Sequence, residues 1–240
     1  NDLAEARRRQ VVEVPFSHEV RYVYRDSYLS HNGSPGTYRL RDGALVVEPG
    51  PGNTASVFLP TRQHVLEVGD IWAVDVELNH SKGDSLGAYV TISADFVQPG
   101  RATDRFERRN VPGLLVRRTT LDGGVIRVHT VLQRGEPPND LQSSGGDGLS
   151  DPGGRLTIIV HRIAADRFAF YLGVAETGEL ISLGERTHSE LTTFENLCLG
   201  FECYSMRGSS TAVFSRLRRL EQVAFWRVGD FAPTRYPESR

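Results

Sequence analysis

The chain has 240 residues, 28 basic side chains against 30 acidic ones, a net charge of −2 and two cysteines. One all-β domain often runs to ~200–250 residues, so the length suits a single sandwich or barrel. The near-balanced charge argues against a nucleic-acid binder with a broad basic face, and no run reaches the ~18 apolar residues of a membrane span.

The start, Asp2-Leu-Ala-Glu-Ala-Arg-Arg-Arg-Gln10, has no signal-peptide core and reads as an interior fragment or a processed start. Residues 1–10 are expected to form an extension or short helix, 11–224 a sandwich, and 225–240 a tail carrying Trp226, Phe231 and Tyr236. Val11 to Phe16 and Glu19 to Tyr24 read as strands. Thr37 to Val47 is a hairpin pivoting on Asp42-Gly43, the strongest short-range hairpin signal. Ser56 to Pro60, Asp70 to Asn79, Ala88 to Asp95, Leu114 to Thr119 and Val125 to Gln133 alternate as further strands. Gly135 to Gly154 is rich in Gly, Pro, Ser and Asp and reads as a long functional or disordered loop. Arg155 to Arg162, Asp166 to Leu172 and Gly178 to Gly184 resume the strands. The last pair is Asn196-Leu-Cys-Leu-Gly-Phe-Glu-Cys-Tyr-Ser205 and Thr211-Ala-Val-Phe-Ser-Arg-Leu-Arg-Arg-Leu220. In the first of these, Leu197, Leu199 and Phe201 share one face, and Cys198, Gly200, Glu202 and Tyr204 the other.

This alternation, with no helical periodicity of useful length after Gln10, predicts an all-β, two-sheet antiparallel β-sandwich. The core is expected from Trp72, Val74, Val76, Ile92, Ile158, Val160, Phe168, Phe170, Leu199, Phe201 and Phe214. Cys198 and Cys203 lie on one strand, too far apart at ~3.3 Å per residue for a disulfide, and are expected free and buried. Lys82 is the sole lysine, which reads as a coding bias typical of bacteria.

The closing order (apolar strand with a central Gly200, Ser-rich turn, Ala-Val-Phe strand) resembles the concanavalin A-like lectin/glucanase, laminin-G-like jelly rolls. From Thr37 to Leu220 the element order is similar, most of all to the C-terminal jelly-roll domain of some bacterial xylosidases. The resemblance implies a concave glycan groove and, in many members, a structural calcium. Asp140, Asp147 and Asp151 are the candidate calcium ligands. An aspartate often follows the closing strand's Phe in the superfamily; here Ser215 stands there.

Gly83-Asp84-Ser85-Leu86-Gly87 matches the Gly-x-Ser-x-Gly elbow and the Gly-Asp-Ser-Leu esterase box. An elbow needs a helix after the serine, whereas Ala88 to Ser93 alternate as a strand, so a hairpin turn is expected. The seven histidines show no metal-ligand spacing.

Along Asp70 to Asn79 the alternation puts Asp75, Glu77 and Asn79 opposite the core face. If they lie in a groove, they would join Tyr89, Arg127, His129, Glu202 and Tyr204. Carboxylates, amides and aromatic faces are what a sugar's hydroxyls and C–H face require. Hydrolysis would need two carboxyl groups ~5–5.5 Å or ~6.5–9.5 Å apart, for which Glu77 and Glu202 are the candidates. Laminarinase-type relatives carry Glu-x-Asp-x-(x)-Glu on one strand; Ala73 replaces the first glutamate here. A lyase would use a Tyr or His base beside an Arg, and Arg127, His129 and Tyr204 are compatible with that.

The expected function is therefore carbohydrate recognition, or an accessory role, in a secreted, surface or periplasmic polysaccharide-handling protein. The alternatives are a glycan-cleaving enzyme of the same fold and a structural or protein-binding laminin-G-like module. Expected partners are an oligo- or polysaccharide and other domains of a larger protein, without nucleic acid. The expected cofactor is none or structural calcium.

Overall fold

A computed structural model describes residues 11–14, 16, 23–26, 37–49, 54–59, 65–94, 113–133, 141–145, 147–177, 179–193 and 197–220. The proposed extension over 1–10 and tail over 225–240 lie outside these residues, as does Asp95. The strands run in chain order as β1 (Val11–Glu13), β2 (Val23–Asp26), β3 (Thr37–Arg41), β4 (Ala44–Glu48), β5 (Thr54–Leu59), β6 (Ile71–Asn79), β7 (Leu86–Ala94) and β8 (Gly113–Thr119). They continue as β9 (Val125–Gln133), β10 (Leu141–Gly145), β11 (Leu149–Ser150), β12 (Leu156–Arg162), β13 (Arg167–Val174), β14 (Glu179–Thr187), β15 (Leu197–Ser205) and β16 (Thr211–Leu220).

These strands form two antiparallel sheets. The first has the order β14-β13-β12-β6-β16-β4-β3, with β1 on β16; the second has the order β10-β9-β8-β7-β15-β5-β2, with β11 on β9. Period-two alternation explains the stacking, because each central strand offers one apolar row to the opposing sheet. All eleven residues expected in the core are buried in one cluster between the sheets. Phe201 of the second sheet meets Phe214 of the first at 5.1 Å between ring centroids, and Phe16 packs edge-on to Phe201 at the same distance. Burying each such ring stabilises by about 1.5–3 kcal/mol.

The Asp42-Gly43 hairpin forms as expected, with φ of 51° and 74° at the two positions, the left-handed pair that such tight turns require. Ser85 lies in the turn that carries the chain from β6 in the first sheet to β7 in the second, so it is not the expected hairpin turn, and because a strand follows it there is no strand-to-helix elbow. The residue that matters in that motif is Asp84. Its buried carboxylate accepts hydrogen bonds from the Ser85 and Arg207 amides at 2.8 Å, from Ser209 at 3.1 Å and Ser210 at 2.7 Å, and from Ser205. The β6–β7 turn is thereby tied to the β15–β16 turn. Burial alone would raise the pKa of Asp84, but the bonds from Ser205, Ser210, Arg207 and Ser209 together hold it well below the usual carboxylate range.

One strand expectation changes. The stretch from Gly135 to Gly154 is not one long loop: β10 and β11 both pair with β9. Backbone pairing at a sheet edge needs no apolar alternation, so Ser- and Gly-rich residues conceal it. Cys198 and Cys203 are free and buried, as expected.

Candidate functional site

The core-facing parity of β6 and β15 decides where each candidate side chain lies. Trp72, Val74 and Val76 face inward from the first sheet, so Asp75, Glu77 and Asn79 face outward from it. Leu199, Phe201 and Cys203 face inward from the second sheet, so Glu202 and Tyr204 face outward on the other side of the molecule. Sheets stack ~10 Å apart, and their outer faces point in opposite directions. The expected single groove is therefore divided, and Glu77 and Glu202 cannot flank one glycosidic bond.

On the first sheet, Asp75 does not face a ligand. It is 1% exposed and accepts from Thr157 at 2.8 Å and Arg218 at 2.7 Å, with Arg216 at 3.6 Å and Arg155 at 3.9 Å. The β-bulge between Ser215 and Arg218 explains this convergence. Arg216 there has φ of 48°, and the extra residue lets Leu217 stay in the core while Arg216 and Arg218 both reach Asp75. Asn79 is exposed and donates to Thr211 at 3.5 Å. Glu77 lines a 560 Å³ cleft with Leu78, Arg118, Gly154, Arg155 and Glu176. Among its described lining residues that cleft has no aromatic ring on which a sugar could stack.

Calcium is not supported by the described residues. Asp140 lies outside them, Asp147 is exposed, and both Asp151 oxygens are bonded by Arg118 at 2.7 and 3.1 Å. Among the described residues no group of three or more His, Cys, Asp or Glu could hold a metal.

The outer face of the second sheet brings together the remaining candidates. Register aligns Glu202 with Tyr89, Tyr89 with Arg117, and Arg117 with Arg127, giving one row across β15, β7, β8 and β9. The next row runs Gly200, Thr91, Leu115, His129 and Gly145. Tyr204 packs on Tyr89 and Leu115. Although these side chains point away from the core, Glu202, Tyr89 and Thr91 are only 1%, 2% and 4% exposed. Their positions thus form a recessed floor, with Arg117, Arg127, His129 and Tyr204 half-buried around it.

The floor carries unused hydrogen-bonding capacity. Tyr89 Oη, Thr91 Oγ1, Arg117 Nε and Arg127 Nε are buried and make no hydrogen bond among the described residues. A buried polar atom in that condition loses about 1–3 kcal/mol relative to a satisfied one. The Arg117 guanidinium sits 5.8 Å from the Tyr89 ring centroid, within cation–π range. Burial pushes the Tyr89 phenol above its usual pKa against the opposing pull of Arg117, and Glu202 adds to the rise. His129 is held below its usual pKa by burial first, then by Arg117 and Arg127. The close approach of Arg127 depends on Gly148, where a Cβ would lie 2.6 Å from Arg127 Nε and 2.4 Å from Val125 Cγ1.

Sequence reading overlooked Arg117 and Asp84. The signal for Arg117 was its parity, two residues beyond Leu115 on a strand whose core face is Leu114 and Val116. Asp84 was hidden inside a motif that suggested its neighbour Ser85 as a nucleophile.

No protein-family model matches the sequence, and no curated protein matches it. Solved structures do resemble the chain. LamAcat from Zobellia galactanivorans is 13% identical with a TM-score of 0.55, covering 88% of this chain and 94% of its own. The kappa-carrageenase from Pseudoalteromonas carrageenovora, in complex with an oligotetrasaccharide of kappa-carrageenan, is 11% identical with a TM-score of 0.51, over 90% and 94% of the two chains. Lectin II from Ulex europaeus is 9% identical with a TM-score of 0.52, over 88% and 97%. The likeness establishes the fold, a concanavalin A-like jelly-roll β-sandwich.

Proposed function

We propose that this chain is a carbohydrate-recognition or accessory domain of an extracellular or surface protein that handles polysaccharide. The glycan lies on the outer face of the second sheet. The observation that carries this reading is the recessed floor whose Tyr89 and Thr91 hydroxyls lack hydrogen-bond partners among the described residues, beside the half-buried ring of Tyr204. Sugars supply the complement: hydroxyls for the floor and a C–H face for the ring. Similar folds that carry an oligosaccharide of kappa-carrageenan or belong to a lectin are consistent with it.

Binding is favoured over hydrolysis because the floor has one carboxylate, Glu202, among its described side chains, and retaining or inverting cleavage takes two. The test is a glycan array followed by calorimetry on the hits. Tyr204→Ala is expected to weaken binding by about 1–2 kcal/mol, roughly 5- to 30-fold, while Glu77→Gln on the opposite face leaves it unchanged. Unchanged affinity in Tyr204→Ala would move the site off this face, and an array without hits would favour a structural or protein-binding sandwich. Loss of binding in Glu77→Gln alone would place the ligand in the cleft of the first sheet.

A further inference from the structure

Two arginines on the glycan face have no counterion among the described residues, and they stand directly opposite each other. Arg117 and Arg127 are register partners across β8 and β9. Like charges in that position destabilise a ladder. Neither has an acidic partner among the described residues, and the Nε of each is buried without a hydrogen bond.

Every other buried or half-buried arginine whose burial is described has an acceptor. Arg118 bonds Asp151, Arg218 and Arg216 lie against Asp75, and Arg219 bonds Asp70. Arg162 donates to the Leu66 and Ala165 carbonyls, and Arg186 to the Glu185 carbonyl. Each of these has at least one acceptor or carboxylate among the described residues, whereas none is described for Arg117 or Arg127. The Glu202 carboxylate does not answer the charge, because Tyr89 stands between it and Arg117 in the row. The positions are held: Arg117 over the Tyr89 ring, and Arg127 against Gly148.

Resting on the reading of this face as a glycan site, we propose that the saccharide it takes is acidic, with a carboxylate or sulfate group seated between Arg117 and Arg127. The guanidinium is a planar fork of donors that matches either oxyanion, and a half-buried pair strengthens such charge-assisted bonds. An oxyanion there would accept from the half-buried guanidinium groups and relieve the repulsion across the ladder. Tyr89 and Thr91 lie in the same and the adjacent row.

The experiment is calorimetry of the full chain with three probe sets: uronate oligosaccharides, sulfated galacto-oligosaccharides and neutral gluco-oligosaccharides. The expected result is binding of an acidic set at least tenfold tighter than the neutral set. That affinity should fall as salt rises and fall at least tenfold further in Arg117→Gln and in Arg127→Gln. Which acidic set binds distinguishes carboxylate from sulfate. Thermal melting of both variants guards against loss of fold, and neither should melt below the parent. Neutral binding that equals acidic binding, with both variants within twofold of the parent, would overturn the acidic assignment and leave the glycan reading standing. Absence of binding to all three sets, together with an array without hits, would overturn both.

Discussion

Arg117 and Arg127 face each other across β8 and β9 with no described carboxylate to compensate them. A sheet selected for stability alone would not keep this pair, because directly opposed like charges cost a few tenths to about 1 kcal/mol. Arg127→Gln removes one charge and keeps the side chain's length and polarity. It is expected to leave the melting temperature unchanged or to raise it, by an amount equivalent to about 0.2–1 kcal/mol. A fall in denaturation midpoint would show that Arg127 supports the fold, contrary to its lack of partners.

Asp84 makes the opposite prediction. Five hydrogen bonds converge on its carboxylate from the turn after β6 and the turn after β15. Asp84→Asn replaces an acceptor by a donor among donors, and should destabilise by roughly 2–4 kcal/mol. The depressed pKa fixes the pH window. The stabilising contribution is fully present above the unfolded pKa near 3.8 and is lost as pH falls towards the folded value. Acid melts of the parent and of Asp84→Asn should therefore converge at low pH. Ser85→Ala, by contrast, removes no bond to the carboxylate from its side chain, and serine-directed fluorophosphonate probes should leave Ser85 unlabelled.

The fold was legible because its signal is local. Alternation along β6, β7, β15 and β16 assigns each residue to a face, and the eleven core residues follow from parity. Which outer face belongs to which sheet is a non-local fact. Asp75 and Glu202 look equivalent on their own strands, but β6 pairs with β12 and β16 while β15 pairs with β7 and β5. No spacing in the sequence encodes that difference, so a groove was expected where two opposed faces exist. The ion pair of Asp75 with Arg218 was hidden for the same reason, since a bulge between Ser215 and Arg218 shifts the register.

Asp75 offers a further check on that division. Its carboxylate is the counterion for Arg218, which is only 2% exposed at its side chain. Asp75→Ala would remove the described carboxylate that Arg218, Arg216 and Arg155 share, and removing one partner of such a buried cluster costs about 3–5 kcal/mol. Binding by the folded fraction should be unaffected, because the proposed glycan face is on the other sheet. Equilibrium denaturation gives the first quantity, and calorimetry below the melting transition gives the second. Weakened binding at full stability would reinstate Asp75 as a ligand contact.

His129 reports the charge of the site directly. Burial, then Arg117 and Arg127, disfavour its imidazolium, so its folded pKa lies below the ordinary 6.5. For a base with a depressed pKa, the unfolded chain takes up the proton first. The stability it contributes is therefore present above about pH 6.5 and declines as pH falls through that value towards the folded pKa. An oxyanion seated between Arg117 and Arg127 reverses the electrostatics, because it offsets the two cations that oppose protonation. The His129 pKa should then rise on binding an acidic oligosaccharide, and by linkage the affinity should increase as pH falls between the bound and free values. NMR titration of the His129 ring with and without ligand measures the shift. His129→Gln should flatten the pH dependence of affinity while the response to salt, which comes from the arginines, persists. If the His129 titration is the same in the free and bound protein, the acidic group is not seated beside the arginine pair.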